Sequence, residues 1–118
     1  MHCIVLMPGG VFFMDSQIKR GLLDICVLRA IKDHESYGYQ IIKDIKPYIE
    51  ISESTLYPIL RRLEAQGLLR VKAVEHNGRL RKYYHITSDG LKRIEEFKVE
   101  WKLLMQIYDY INEGDKND

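Results

Sequence analysis

Apolar positions along the chain change period several times, and each change marks an element. Between Ile18 and Ile31 the residues Leu22, Leu23, Ile25, Cys26, Val27, Leu28 and Ala30 fall nearly all round a helix that Asp15-Ser16 can cap. A helix coated so widely in so small a chain is expected to be covered on two sides, the second most easily by another subunit. Asp33-His34-Glu35 reads as a turn. Ser36 is then expected to cap a short helix in which Tyr39, Ile41, Ile42 and Ile45 keep helical spacing until Pro47 stops it. Ser52 or Ser54 opens a third helix running to Gly67, with Pro58 expected in its first turn, since deeper it would kink the helix. From Leu68 the period drops to two. Leu69, Val71 and Ala73 alternate with Arg70 and Lys72, Asn77-Gly78 signals a tight hairpin, and Arg81–Ile86 returns as the partner strand. Thr87 or Ser88 caps a last helix reaching about Asn112. The predicted order is helix, helix, helix, hairpin, helix: a mainly α chain with a small β-hairpin, of the α+β class.

Composition narrows the class. Hydrophobic residues form 46% of the chain and charged residues 30%, which suits one compact folded domain and excludes a disordered one. The two cysteines, Cys3 and Cys26, form no Cys-x-x-Cys pair. A disulfide scaffold or closed zinc site is therefore not expected, and a reducing, cytoplasmic setting is. No apolar run approaches the roughly 20 residues of a membrane span. Residues 1–13 stand apart, apolar and without Asp, Glu, Lys or Arg, and broken at Pro8-Gly9-Gly10. They are expected to be either a leader foreign to the fold, with Met14 as the native start, or an ordinary frayed terminus. The expected organisation is a leader over 1–13, one folded unit over 14–87, a long last helix over 88–113 and a frayed tail over 114–118.

Charge changes the picture more. The formal net charge is only +1, yet residues 61–87 hold seven basic side chains (Arg61, Arg62, Arg70, Lys72, Arg79, Arg81, Lys82) against two acidic ones, Glu64 and Glu75. Residues 1–60 balance to −1 and residues 88–118 to −3. Positive potential is thus gathered on the third helix and the hairpin, where it can steer an anionic partner to one face. On a helical wheel, Leu56, Ile59, Leu60 and Leu63 share the core arc of the third helix. Ser54, Pro58, Arg61 and Ala65 lie opposite, with Thr55, Tyr57 and Arg62 on the shoulders. Small, hydroxylated and cationic residues let a helix sink into a groove and bond phosphate or guanine. A solvated charge run is the plainer reading of the same residues. A cationic helix face followed by a hairpin of the same sign favours a winged helix-turn-helix.

Three blocks carry a family resemblance: Tyr37-Gly38-Tyr39-Gln40-Ile41, the run Ser54-Thr55-Leu56-Tyr57-Pro58-Ile59-Leu60-Arg61-Arg62-Leu63-Glu64-Ala65-Gln66-Gly67-Leu68, and Arg81-Lys82-Tyr83-Tyr84-His85-Ile86-Thr87. In order and spacing they resemble the PadR family of bacterial transcriptional regulators, over about Asp15 to Ile111, and the short last helix is similar to the compact subfamily. The resemblance implies a winged helix-turn-helix with a C-terminal dimerisation helix, a homodimeric repressor often tuned by small aromatic compounds. It places Ser54, Thr55, Tyr57, Pro58 and Arg61 on the recognition helix, Tyr37 and Tyr39 on the helix before it, and Arg79, Arg81 and Lys82 on the wing. Ser54 departs from the glycine that many members carry before the threonine.

Ile94, Phe97, Trp101, Leu104, Tyr108 and Ile111 repeat at spacings of three and four, a heptad-like stripe. A helix of this length spans about 37 Å, longer than the rest of so small a domain can cover. The stripe is therefore expected to meet a second chain, with Leu22 and Cys26 of the first helix joining the contact; folding back onto its own core is the alternative. Two-fold symmetry would then set two recognition helices in successive major grooves of a roughly palindromic operator. Trp101, flanked by Phe97, Met105 and Tyr108, reads first as core filler; the resemblance implies a second reading, a wall on which a flat aromatic effector stacks.

Two other classes of function compete with this one. His2, His34, His76 and His85 are scattered, with no nucleophile-base pairing, phosphate loop or paired metal ligands, so neither an enzyme nor a cofactor or metal site is expected. The other rival is a winged-helix module that binds protein and no DNA.

Overall fold

A computed structural model describes residues 2–7 and 10–113; the expected frayed tail, 114–118, lies outside them. The elements are β1 (His2–Met7), β2 (Gly10–Asp15), α1 (Ser16–Ala30), α2 (Gly38–Ile45), α3 (Glu53–Ala65), β3 (Leu69–His76), β4 (Arg79–Ile86) and α4 (Ser88–Ile111). β1 and β2 pair antiparallel, His2 opposite Asp15 and Met7 opposite Gly10. Ile, Val and Phe suit a pleated strand better than any other local structure. Asp15 ends that strand and caps α1, its carboxylate accepting the Gln17 N–H at 2.9 Å.

The core lies where α1, α2 and α3 converge on the root of the β3–β4 hairpin. Leu23, Val27, Leu28 and Ile31 of α1 and the segment following it meet Ile41 and Ile45, and Leu56, Ile59, Leu60 and Leu63 close the cluster from α3. The core arc read from the wheel of the third helix is thus the arc that is buried. Leu69 and Tyr84 add the hairpin root, and Ile94 adds the second turn of α4.

Two local expectations are corrected. Ser36 does not cap α2. Its backbone instead pairs with Tyr84, donating at 3.0 Å and accepting at 2.7 Å, so Ser36 is a one-residue third strand beside β4. Tyr37 stays extended (φ −126°, ψ 164°) and α2 starts at Gly38. The long-range pairing outweighs a local cap because it satisfies two backbone groups at a position with only 3% exposure.

Pro58 lies in the second turn of α3, not the first. Ser52 caps that helix, its hydroxyl accepting the Thr55 N–H at 3.3 Å, which makes Pro58 the sixth helical residue. The proline withholds one helical N–H, and Ser54, whose carbonyl loses that donor, is exposed, so water can replace it.

The hairpin closes on Asn77 (φ 52°) and Gly78 (φ 78°), both left-handed as a two-residue turn of this kind requires. At its other end Thr87 caps α4. Its hydroxyl accepts the Gly90 N–H at 3.1 Å and donates to the Gly67 carbonyl at 2.7 Å, tying the start of α4 to the end of α3. No described helix is long and apolar enough to cross a membrane.

Candidate nucleic-acid interface

With its apolar arc buried, α3 turns the opposite arc outward. Ser54, Thr55, Tyr57, Pro58 and Arg61 are all exposed. Arg62 departs from the face expected of it. It is half-buried and forms an ion pair with Asp24 of α1, 38 residues away. Burial pushes the Asp24 carboxyl up from its ordinary range, against the pull of Arg62, Arg20 and Arg93. Desolvation outweighs attraction, as is common for a pair drawn partly out of water. Arg62 therefore anchors α3 to α1 from behind.

Beside α3 the hairpin and the start of α2 enclose a groove of about 780 Å³ lined by Tyr37, Tyr39, Tyr57, Arg79, Arg81 and Lys82. A smaller cleft of about 200 Å³ continues it between Tyr57, Arg61 and Lys82. Arg61 and Lys82 thus share one cleft, which adjoins the groove that Arg79 and Arg81 line. Gly38 makes the close approach of α2 and α3 possible, since a Cβ there would lie 2.6 Å from the Tyr57 hydroxyl oxygen.

Tyr37, immediately before α2, and Tyr39 within it divide. Tyr39 is 64% exposed at the groove mouth, whereas Tyr37 packs edge-on against Tyr83, ring centres 5.7 Å apart, and carries the Arg81 guanidinium 4.2 Å above its ring. Leu80, which the sequence reading passes over, stands 77% exposed near the hairpin tip. An apolar residue flanked by cations at a hairpin tip was the available signal.

The expected contact residues of the last helix also divide. Ile94 is 3% exposed and belongs to the chain's own core. Phe97 is half-buried and stacks on Trp101 at 5.9 Å, and from Trp101 to Ile111 every residue is exposed. Fold-back of the whole stripe onto the core is thereby excluded. Trp101, Leu104, Met105, Tyr108 and Ile111 are joined on this bare surface by Val99, Leu103 and Ile107, a second row at spacing four that the heptad reading missed. Leu22 and Cys26 of α1 are half-buried. Burial pushes the Cys26 thiol up, which disfavours its thiolate and suits packing more than redox chemistry.

Comparison with known proteins agrees with this geometry. Residues 27–96 match the family model of the transcriptional regulator PadR-like family. A transcriptional regulator of Mycobacterium tuberculosis is 31% identical over 81 residues, covering 68% of this chain and 76% of that protein. The X-ray structure of a PadR-like transcription factor from Bacteroides fragilis superposes with a TM-score of 0.74 at 34% identity, over 81% of this chain and 95% of that one. A structure of Bacillus subtilis PadR in complex with operator DNA shares the fold, with a TM-score of 0.63 at 20% identity over 66% of this chain and 47% of that one.

Proposed function

Because the chain belongs to the PadR-like family of transcriptional regulators, a family of regulators and not of enzymes, we propose that it is a homodimeric repressor that reads a palindromic double-stranded operator in the cytoplasm. The observation that carries the proposal is the exposed α3 face, Ser54, Thr55, Tyr57, Pro58 and Arg61, beside adjoining clefts that Lys82 and Arg79 of the wing help to line. The operator-bound Bacillus subtilis protein of the same fold supports the choice of partner. In this reading α3 enters the major groove, its hydroxyls bond phosphates, Arg61 addresses a base edge or phosphate, and the wing tracks the neighbouring backbone. Repression follows from occlusion of polymerase by the bound dimer.

Binding of duplex DNA against salt tests this directly. Six to ten neutralised phosphates per dimer predict a log–log slope of about −5 to −9. A flat response would sink the DNA reading and favour a protein-binding winged helix. On a selected operator, Arg61→Ala is expected to cost about 1–3 kcal/mol and relax preference at one position. Equal loss on every sequence would reduce Arg61 to a phosphate contact.

The same proposal includes release by a small planar aromatic effector. Trp101, 44% exposed and stacked on Phe97, offers a flat apolar wall on the surface assigned to the dimer. Planar aromatics are expected to quench tryptophan fluorescence and release operator together, and Trp101→Phe, which removes the one tryptophan of the chain, to abolish the release. No quenching at saturating concentration would remove the effector from the proposal.

A further inference from the structure

The wing cations are not equivalent, and the difference lies in what surrounds Arg81. On a strand successive side chains face opposite ways, so Arg79, Arg81 and Tyr83 share one face of β4 and Leu80, Lys82 and Tyr84 the other. Tyr84 points into the core; Arg79, Leu80 and Lys82 are exposed. Arg81 is half-buried. Its guanidinium lies over the Tyr37 ring at 4.2 Å and its Nη1 donates to the Tyr83 hydroxyl at 3.5 Å, while the Tyr37 and Tyr83 rings meet edge-to-face. Tyr37 is the residue immediately before α2. The three side chains therefore join the hairpin to the element that precedes the recognition helix.

Mechanically the hairpin needs such a join. Two strands without a third or a covering helix are marginal in water. Beyond the Ser36–Tyr84 bridge at its root, the four rungs from Ala73–Lys82 to His76–Arg79 run out to a tip where Leu80 is bare. A planar guanidinium can stack on a ring and bond a hydroxyl at once, which an ammonium cannot reproduce.

We propose that Arg81 is a positioning residue that locks the wing against α2 through Tyr37 and Tyr83, so that Arg79 and Lys82 reach DNA phosphates, and that it makes no phosphate contact of its own. This rests on the DNA-binding reading above. The discriminating variant is Arg81→Lys, which keeps the charge and loses the stack. A phosphate contact would tolerate it, with affinity and salt slope unchanged. A positioning residue predicts about a tenfold loss of operator affinity and a flatter slope, because Arg79 and Lys82 lose their phosphates although no charge has been removed.

Tyr37→Phe retains the ring on which Arg81 stacks. Tyr37→Leu should reproduce Arg81→Lys, and the double variant should add nothing further. Without DNA, amide hydrogen exchange over residues 79–83 should accelerate about tenfold in Arg81→Lys and Tyr37→Leu, and stay unchanged in Tyr37→Phe. If the parent chain shows no salt-dependent duplex binding, the functional reading falls, and the exchange measurement alone decides whether Arg81 holds the wing. If the parent binds and Arg81→Lys keeps both affinity and slope, or if exchange over 79–83 is unmoved, the proposal is overturned.

Discussion

A carboxylate placed at Leu104 is expected to halve the mass in solution, from twice 13.9 kDa to a single chain. Leu104 sits near the centre of the uncovered part of α4, with Trp101, Tyr108 and Ile111 on its stripe and Leu103 and Ile107 beside it, and it is 52% exposed in one chain. A monomer rarely leaves so much contiguous apolar surface in water. In a two-fold contact each substitution occurs twice, so Leu104→Glu would bury two unpaired carboxylates at several kcal/mol each. Dimer dissociation should rise at least about a hundredfold, since about 1.4 kcal/mol is a factor of ten.

Sedimentation at micromolar concentration reads the mass, and the DNA consequence can be read in the same samples. A dimer holds its second head near the second half-site at an effective concentration in the millimolar range, and losing that tether costs roughly 10²–10⁴ in operator affinity. Leu104→Met, similar in volume, should leave both unchanged. A parent chain that already sediments as one subunit would end the dimer proposal, and Leu104→Glu that remains dimeric would move the interface off this face.

Gly90→Ala is expected to be among the most destabilising single-methyl changes in the chain. A Cβ at Gly90 would lie 2.2 Å from the Leu68 carbonyl oxygen and 2.5 Å from Cγ1 of Ile86. Ile86 can rotate away, but the carbonyl cannot, because it accepts the Thr87 N–H at 3.1 Å in the junction that also carries the α4 cap. Relief therefore requires the first turn of α4 to lift from the hairpin root, which draws Ile94 out of the core.

Overpacking costs about 1–3 kcal/mol when side chains can yield, and a fixed backbone atom puts this site at about 3 kcal/mol or above. For a domain of this size that is a fall of about 10 °C in melting temperature. Calorimetry of the parent and the variant checks it, and a fall under about 2 °C would show that α4 is not seated as closely as described. The prediction is independent of DNA and of oligomer state if melting is compared at one protein concentration.

Much of the interface was legible because it rests on period and sign. Four leucine and isoleucine positions determine which arc of α3 is inward, and the outward arc with Arg61 follows without further information. Asn77-Gly78 determines the register of β3 against β4, because a two-residue turn with both residues at positive φ allows one pairing. The apolar surplus of α4 was visible as a stripe, though its width was not, since the heptad template counts one seam and Val99, Leu103 and Ile107 wind round the helix away from it.

Arg62 and Arg61 are adjacent and chemically identical, yet one faces the groove and the other holds Asp24. Arg62's partner stands on a helix whose distance from it only the packed fold sets. Ser36 is the same kind of case: every local rule makes it a cap, and the strand that claims it arrives 48 residues later.

Linear order alone thus dictated the elements, the arc each one hides and the concentration of positive charge on the third helix and hairpin, because repeat distance and charge are properties of neighbours along the chain. Which arginine anchors, which one stacks on a tyrosine and which remain exposed was settled only by folding, since those roles depend on groups brought within a few ångströms by contacts that no local pattern encodes.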